Sequence, residues 1–171
     1  QPPIGALYPD GEGNIFIGGW GGAGVMKYDH RSKTISQITV PTFPDSFVPG
    51  IRVLLKDSFG SLWIGTSGRG IHRLYGDDEH PRLFLNTQND ERSLSSNTIY
   101  CLYEDHNKNI WIGTMYGLNK FERTSNSFTR YFQQHDIRAI HEDNNGVLWL
   151  GTSGDGLLMF DKQSNQSRYF T

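Results

Sequence analysis

A chain of 171 residues, 36% apolar and 13% aromatic, carries enough apolar material to bury a core. Its net charge of −2, with basic residues scattered rather than blocked, excludes the electrostatic footprint of a nucleic-acid or anionic-membrane binder. No apolar run approaches the ~20 residues that span a bilayer, Gln1-Pro2-Pro3 is no leader, so that any targeting segment is expected outside the chain, and the single Cys101 excludes an internal disulfide.

Taken in order, the chain writes one unit four times. The first copy has the apolar runs IGALYPD (4–10), NIFIGG (14–19), GVMKYD (24–29) and ISQITV (35–40). The second has IRVLLKD (51–57), SLWIGT (61–66), GIHRLY (70–75) and RLFL (82–85). The third has IYCLYED (99–105), NIWIGT (109–114), GLNKFE (117–122) and FTRYF (128–132). The fourth has IRAIHED (137–143), VLWLGT (147–152), GLLMFD (156–161) and SRYF (167–170). No window sustains a helical period between caps, whereas short β-branched and aromatic runs separated by Gly, Asn and Asp predict strands throughout.

Between the first and second strand of each copy stands an acidic residue: Asp10, Asp57, Asp105 or Asp143. Aspartate at the first position of a type I turn accepts a backbone hydrogen bond two residues on, and glycine at the fourth accepts positive φ, which suits Gly13, Gly60 and Gly146. Lys108 takes the glycine slot in the third copy, flanked by Asn107 and Asn109, which leaves room for a shift of that turn by one residue. The aromatic anchors Phe16, Trp63, Trp111 and Trp149 follow, spaced 47, 48 and 38 residues apart. Trp63 and Ile64 point to opposite faces of their strand and both are apolar, so both faces of the sheet must be covered. Sheets stacked face to face meet that demand, and one copy cannot bury its own faces. The predicted fold is all-β, a β-propeller region over 1–171 with blades at about 4–40, 51–85, 99–132 and 137–170.

The segments DSFGSLWIGTSGRGIHRLY and DNNGVLWLGTSGDGLLMFD resemble the two-component regulator propeller repeat of bacterial hybrid sensor kinases, and the resemblance covers residues 4–170. It implies a periplasmic sensor region that binds an oligosaccharide and signals to a histidine kinase elsewhere in its receptor. It implies no enzymatic activity for this region and no cofactor. Such regions often hold two seven-bladed propellers, so four blades are expected to be part of a larger ring or to be completed by another copy of the chain.

In this topology the Asp turns lie on one side of the propeller and the parts that vary between copies lie on the other. On the variable side the loops between second and third strands place Trp20, Arg69, Tyr116 and Asp155, and the second residue of each first strand reads Gly5, Arg52, Tyr100 and Arg138. Aromatic planes stack on sugar rings and guanidinium forks pair with carboxylate or sulfate. Trp20, Arg52, Arg69, Tyr100, Tyr116, Arg138 and Asp155 are therefore the candidate ligand-binding residues, for an oligosaccharide that is anionic or mixed. The long connections 41–50 and 86–97 are expected to overhang them. The alternatives are a glycan-active lyase or hydrolase and a protein-interaction propeller. Glycosidases need paired carboxylates, and the only acids that recur here are the turn aspartates. No HExxH or CxxC spacing supports a metal, and Cys101, in a slot shared with Ala6, Val53 and Ala139, reads as a small buried hydrophobe.

Overall fold

The computed structural model describes residues 3–21, 24–38, 50–75 and 81–170. The regular elements among these residues are strands only, arranged as four four-stranded antiparallel sheets in which consecutive strands are neighbours. Blade 1 is β1 (Ile4–Pro9), β2 (Ile15–Gly19), β3 (Val25–Asp29) and β4 (Thr34–Ile38). Blade 2 is β5 (Ile51–Lys56), β6 (Ser61–Thr66), β7 (Ile71–Tyr75) and β8 (Arg82–Phe84). Blade 3 is β9 (Ile99–Glu104), β10 (Ile110–Thr114), β11 (Gly117–Glu122) and β12 (Ser127–Tyr131). Blade 4 is β13 (Ile137–Glu142), β14 (Val147–Thr152), β15 (Leu157–Asp161) and β16 (Gln166–Phe170). The innermost strands β1, β5, β9 and β13 pack against one another in that order, so the blades form an arc.

All four Asp turns share one set of carboxylate bonds, while the backbone differs in blade 1: Gly60, Lys108 and Gly146 donate to the carbonyl of their aspartate at 2.8–3.0 Å, whereas in blade 1 Gly11 turns to φ +77° and no such bond forms among the described residues. The Oδ1 of Asp10, Asp57, Asp105 and Asp143 accepts the amides two and four residues on, at 2.8–3.1 Å. Lys108 does not shift its turn: it adopts φ +65° in the glycine slot, while Gly13, Gly60 and Gly146 lie at +94°, +86° and +80°. The second carboxylate oxygen explains the fixed spacing to tryptophan. Asp57, Asp105 and Asp143 accept the indole N–H of Trp63, Trp111 and Trp149 at 2.9, 2.8 and 3.0 Å. In blade 1, where Phe16 has no donor, the Asn14 side-chain amide takes that place at 2.8 Å.

Packing between blades produces the core. Phe16 and Val25 meet Leu54, Leu62, Ile64 and Leu74 between blades 1 and 2. Trp63 meets Ile99, Ile112 and Phe121 between blades 2 and 3, and Trp111 meets Ile137, Leu150 and Phe160 between blades 3 and 4. In blades 1, 2 and 3 the glycine two residues past the aromatic anchor admits the first residue of the next blade: a Cβ on Gly18 would sit 2.5 Å from Ile51, and one on Gly65 2.7 Å from Ile99. No comparable cluster joins blade 4 to blade 1 among the described residues, so the ring is open. The outward face of blade 1 shows the result, with Leu7 64% exposed where its counterpart Leu54 is buried.

Candidate functional site

The variable side is built from the tops of the first strands and the loops beside them. In blades 2, 3 and 4 the threonine that ends the second strand closes the next loop, donating to the carbonyl of Gly70, Gly117 or Gly156 at 2.8–3.0 Å. The same hydroxyls accept the amides of Arg69, Tyr116 and Asp155. Blade 1 has Gly19 in that slot, and the next residue, Trp20, donates its N–H to the Pro3 carbonyl at 2.9 Å, the bond that Ser67, Met115 and Ser153 make to Gly50, Thr98 and Asp136 in the other blades. The indole then lies over Gly5 and Gly50, where any Cβ would come within 2.2 Å of it. Trp20 thus fills the space that a larger residue at position 5 would occupy.

This displacement completes a row of four side chains across four blades. The Arg52 guanidinium lies 5.5 Å from the Trp20 ring and 5.3 Å from the Tyr100 ring. Arg138 lies 3.8 Å from the Tyr100 ring on its other neighbouring blade. Aromatic and cationic groups therefore alternate, each contact being a cation–π pair. The two arginines differ in their charge partners. Arg138 donates to Asp136 at 2.7 Å, and that hydrogen bond raises its pKa further above the ordinary value. Arg52 has no carboxylate within ion-pair distance among the described residues, and its buried Nε has no acceptor there. Asp136 in turn keeps a buried Oδ1 without a hydrogen bond. A half-buried guanidinium without an acceptor costs free energy that an incoming anion would recover.

The structure thus brings together Trp20, Arg52, Tyr100 and Arg138. It places Asp155 elsewhere: its carboxylate meets His135 Nδ1 at 2.8 Å, and His135 Nε2 meets the Tyr169 hydroxyl at 2.8 Å. Tyr116 is exposed in its loop, and Arg69 stands in the corresponding loop of blade 2. Residues 86–97 do not hang free over the row. Asn86 N–H donates to Asn97 Oδ1 at 2.7 Å, Arg130 donates to the carbonyls of Asp90, Ser93 and Leu94, and Leu94 is fully buried between blades 2 and 3. The other connection, 41–50, lies outside the described residues except for Gly50. Asp136 and Gly50 are the members of the site that strand periodicity could not single out. Gly5, the one small residue in its series, was the available signal that Trp20 moves inward.

Among the described residues no group of three or more His, Cys, Asp or Glu is placed to hold a metal ion. Burial pushes the Cys101 thiol up to about 12, which makes it unreactive. A separate groove of about 450 Å³ opens on the outer flank, between β8, the 86–93 segment and the turn before β12.

The two-component regulator propeller family matches at residues 44–68, 93–116 and 131–154, each stretch containing an Asp turn or the connection leading to one. No curated protein sequence matches. Among solved structures, the extracellular domain assigned to a hybrid two-component system of B. thetaiotaomicron superposes with a TM-score of 0.78 at 23% identity, covering 98% of this chain and 21% of that one. Virginiamycin B lyase from Staphylococcus aureus superposes at 0.77 with 15% identity over 98% of this chain and 55% of the enzyme. PorZ of the type-IX secretion system of Porphyromonas gingivalis superposes at 0.75 with 18% identity, covering 98% and 27%. At these identities the likeness establishes the propeller fold, and this chain spans between about a fifth and about half of the chains it resembles.

Proposed function

We propose, from the premise that this chain is built of two-component regulator propeller repeats, that it is the ligand-sensing, extracytoplasmic part of a two-component receptor and binds an acidic oligosaccharide. The observation that carries this reading is the Arg52 guanidinium, held between Trp20 and Tyr100 without a carboxylate partner among the described residues. A uronate carboxylate or a sugar sulfate would supply the missing charge through a forked hydrogen bond. The rings of Trp20 and Tyr100 act as walls that orient the guanidinium. Tyr100, flanked by a cation from each neighbouring blade, has little face left for a sugar.

The role is non-catalytic. The recurring aspartates spend their oxygens on turn amides and on tryptophan N–H groups or, for Asp10, the Asn14 side-chain amide, and Asp155 is engaged by His135. Signalling then requires that the ligand bind one arrangement of neighbouring propellers or protomers more tightly than another, since only differential affinity shifts an equilibrium.

Calorimetric titration with uronate-containing, sulfated and neutral oligosaccharides tests this. The expected result is binding of an acidic member, no product formed, and an affinity loss of about tenfold or more in Arg52→Ala, the size expected for one charge-assisted hydrogen bond. Binding that is equal for neutral sugars, or indifferent to Arg52→Ala, would overturn the reading. Turnover of the bound glycan would make the chain an enzyme instead.

A further inference from the structure

The interfaces inside the arc reveal what an uncovered interface lacks. At the junction of blades 2 and 3, Arg123, the residue just past β11, donates twice to Asp57 Oδ2 at 3.2 Å. At the junction of blades 3 and 4, Lys162, just past β15, reaches Asp105 Oδ2 at 2.8 Å. Each of these two junctions has a second closure. Glu104, ending β9, accepts the Ser58 amide of the preceding turn at 2.9 Å, and Glu142, ending β13, accepts the His106 amide at 2.6 Å. A tryptophan blade is thus clasped by its successor through a cation on the aspartate and a carboxylate on the turn. The junction of blades 1 and 2, where Phe16 replaces tryptophan, is built otherwise, with the Tyr8 hydroxyl donating to the Lys56 carbonyl at 3.0 Å.

Blade 4 is a tryptophan blade and presents the same half of the clasp. Asp143 Oδ2 accepts the Trp149 N–H, yet no cation lies within ion-pair distance of it and the Asn144 amide has no acceptor among the described residues. The ring pair that Trp63 and Trp111 make with Phe84 and Tyr131 of their own blades recurs as Trp149 with Phe170 at 5.7 Å. The edge-on phenylalanine of the next blade, Phe121 against Trp63 and Phe160 against Trp111, has no counterpart there among the described residues. Gly151 is likewise open: a Cβ on it would meet only Ala139 of its own blade, at 3.3 Å.

We propose that this face of blade 4 is a docking surface for a further four-stranded blade that carries Lys or Arg just past its third strand and Glu at the end of its first. Charge complementarity and continuity with the two clasped junctions set that chemistry. Blade 1 of a second copy does not meet it, because it offers His30 in the cation position and Pro9 in the glutamate position.

The test is the full chain with a duplicate of residues 133–170 appended, which brings a lysine and a glutamate to the open face. The melting temperature should rise by several degrees, and exchange of the Asn144 amide should slow by about tenfold or more as it gains an acceptor. Lys162→Ala with Glu142→Ala, made in the appended blade alone, should abolish the slowing, and appending residues 3–38 of blade 1 instead should not produce it. Protection of the appended strands' own amides reports whether they fold. Appended strands that fold while Asn144 exchanges at its original rate would overturn the proposal. So would equal slowing by the clasp-free blade, or a dimer of the unmodified chain in sedimentation with Asn144 already protected.

Discussion

Asp57 does three things at once: it caps its turn through Oδ1, binds Trp63 through Oδ2 and takes Arg123 from the next blade on the same oxygen. The first was legible in the sequence because Asp-x-x-Gly is local turn chemistry. The other two were not, because a six-residue spacing to tryptophan carries no mechanism until the hairpin folds the indole back over the turn. His72 shows a second property that only burial reveals. It is 1% exposed, and burial pulls its pKa down from 6.5 to about 4. A depressed pKa contributes stability that is present above about 6.5 and is lost as the pH falls towards about 4. Urea denaturation should therefore show His72→Met, which carries the residue blade 1 has at this position, losing about 2–3 kcal/mol less than the parent chain between pH 7 and pH 4. Parallel pH dependences in the two proteins would show that the imidazole is not the group responsible.

Within a blade the strands follow the sequence closely, because their apolar alternation and glycine turns are both local. Relations between blades are less legible. That Gly65 serves Ile99, or that Lys162 serves Asp105, depends on a junction between segments about 30 to 60 residues apart. Lys162 is the clearest case, since it bridges two buried carboxylates, Asp105 at 2.8 Å and Glu142 at 2.5 Å. Burial pushes the Asp105 carboxyl up, but hydrogen bonds from Lys162, Trp111 and Asn109 outweigh it and hold the net value low. Burial likewise pulls Lys162 down, and its two carboxylate partners more than reverse it. Asp105 therefore contributes stability above about pH 4, lost as the pH falls through its depressed value, and Lys162 contributes below about pH 10.5, lost as the pH rises beyond its raised one. Lys162→Met should cost about 3 kcal/mol at pH 7 by leaving both carboxylates buried without a cation. Chemical denaturation across pH should show that deficit shrinking on the acid side as Asp105 takes up a proton. A constant deficit would mean that lost packing, not charge, is its source. The 86–97 connection teaches the same lesson, since nothing local in it announces that Arg130, far along the chain, pins it.

At the scale of the molecule, an arc in which each blade meets only its neighbours should behave as a one-dimensional stack. Blades 2 and 3 are covered on both faces, whereas blade 1 leaves Leu7 and Ile35 exposed and blade 4 leaves Phe170 exposed. Native-state hydrogen exchange should accordingly find the slowest amides in β6 and β10 and the fastest strand amides in β4 and β16, and uniform protection over the four blades would contradict the stack. The repeat, the four-bladed architecture and the separation of turn side from variable side were all legible before any coordinates. The candidate row was legible only as a set of positions, for the sequence could not say that Trp20 lies inward over Gly5, nor that Arg138 already has Asp136. The same placement gives the molecule four built-in optical probes. Trp63 and Trp111 are sealed between blades, Trp149 lies on the open face of blade 4, and Trp20 alone shares the variable side with Arg52. A change in emission that disappears in Trp20→Phe would report events at the candidate site, and one that disappears in Trp149→Phe would report events at the end of the arc.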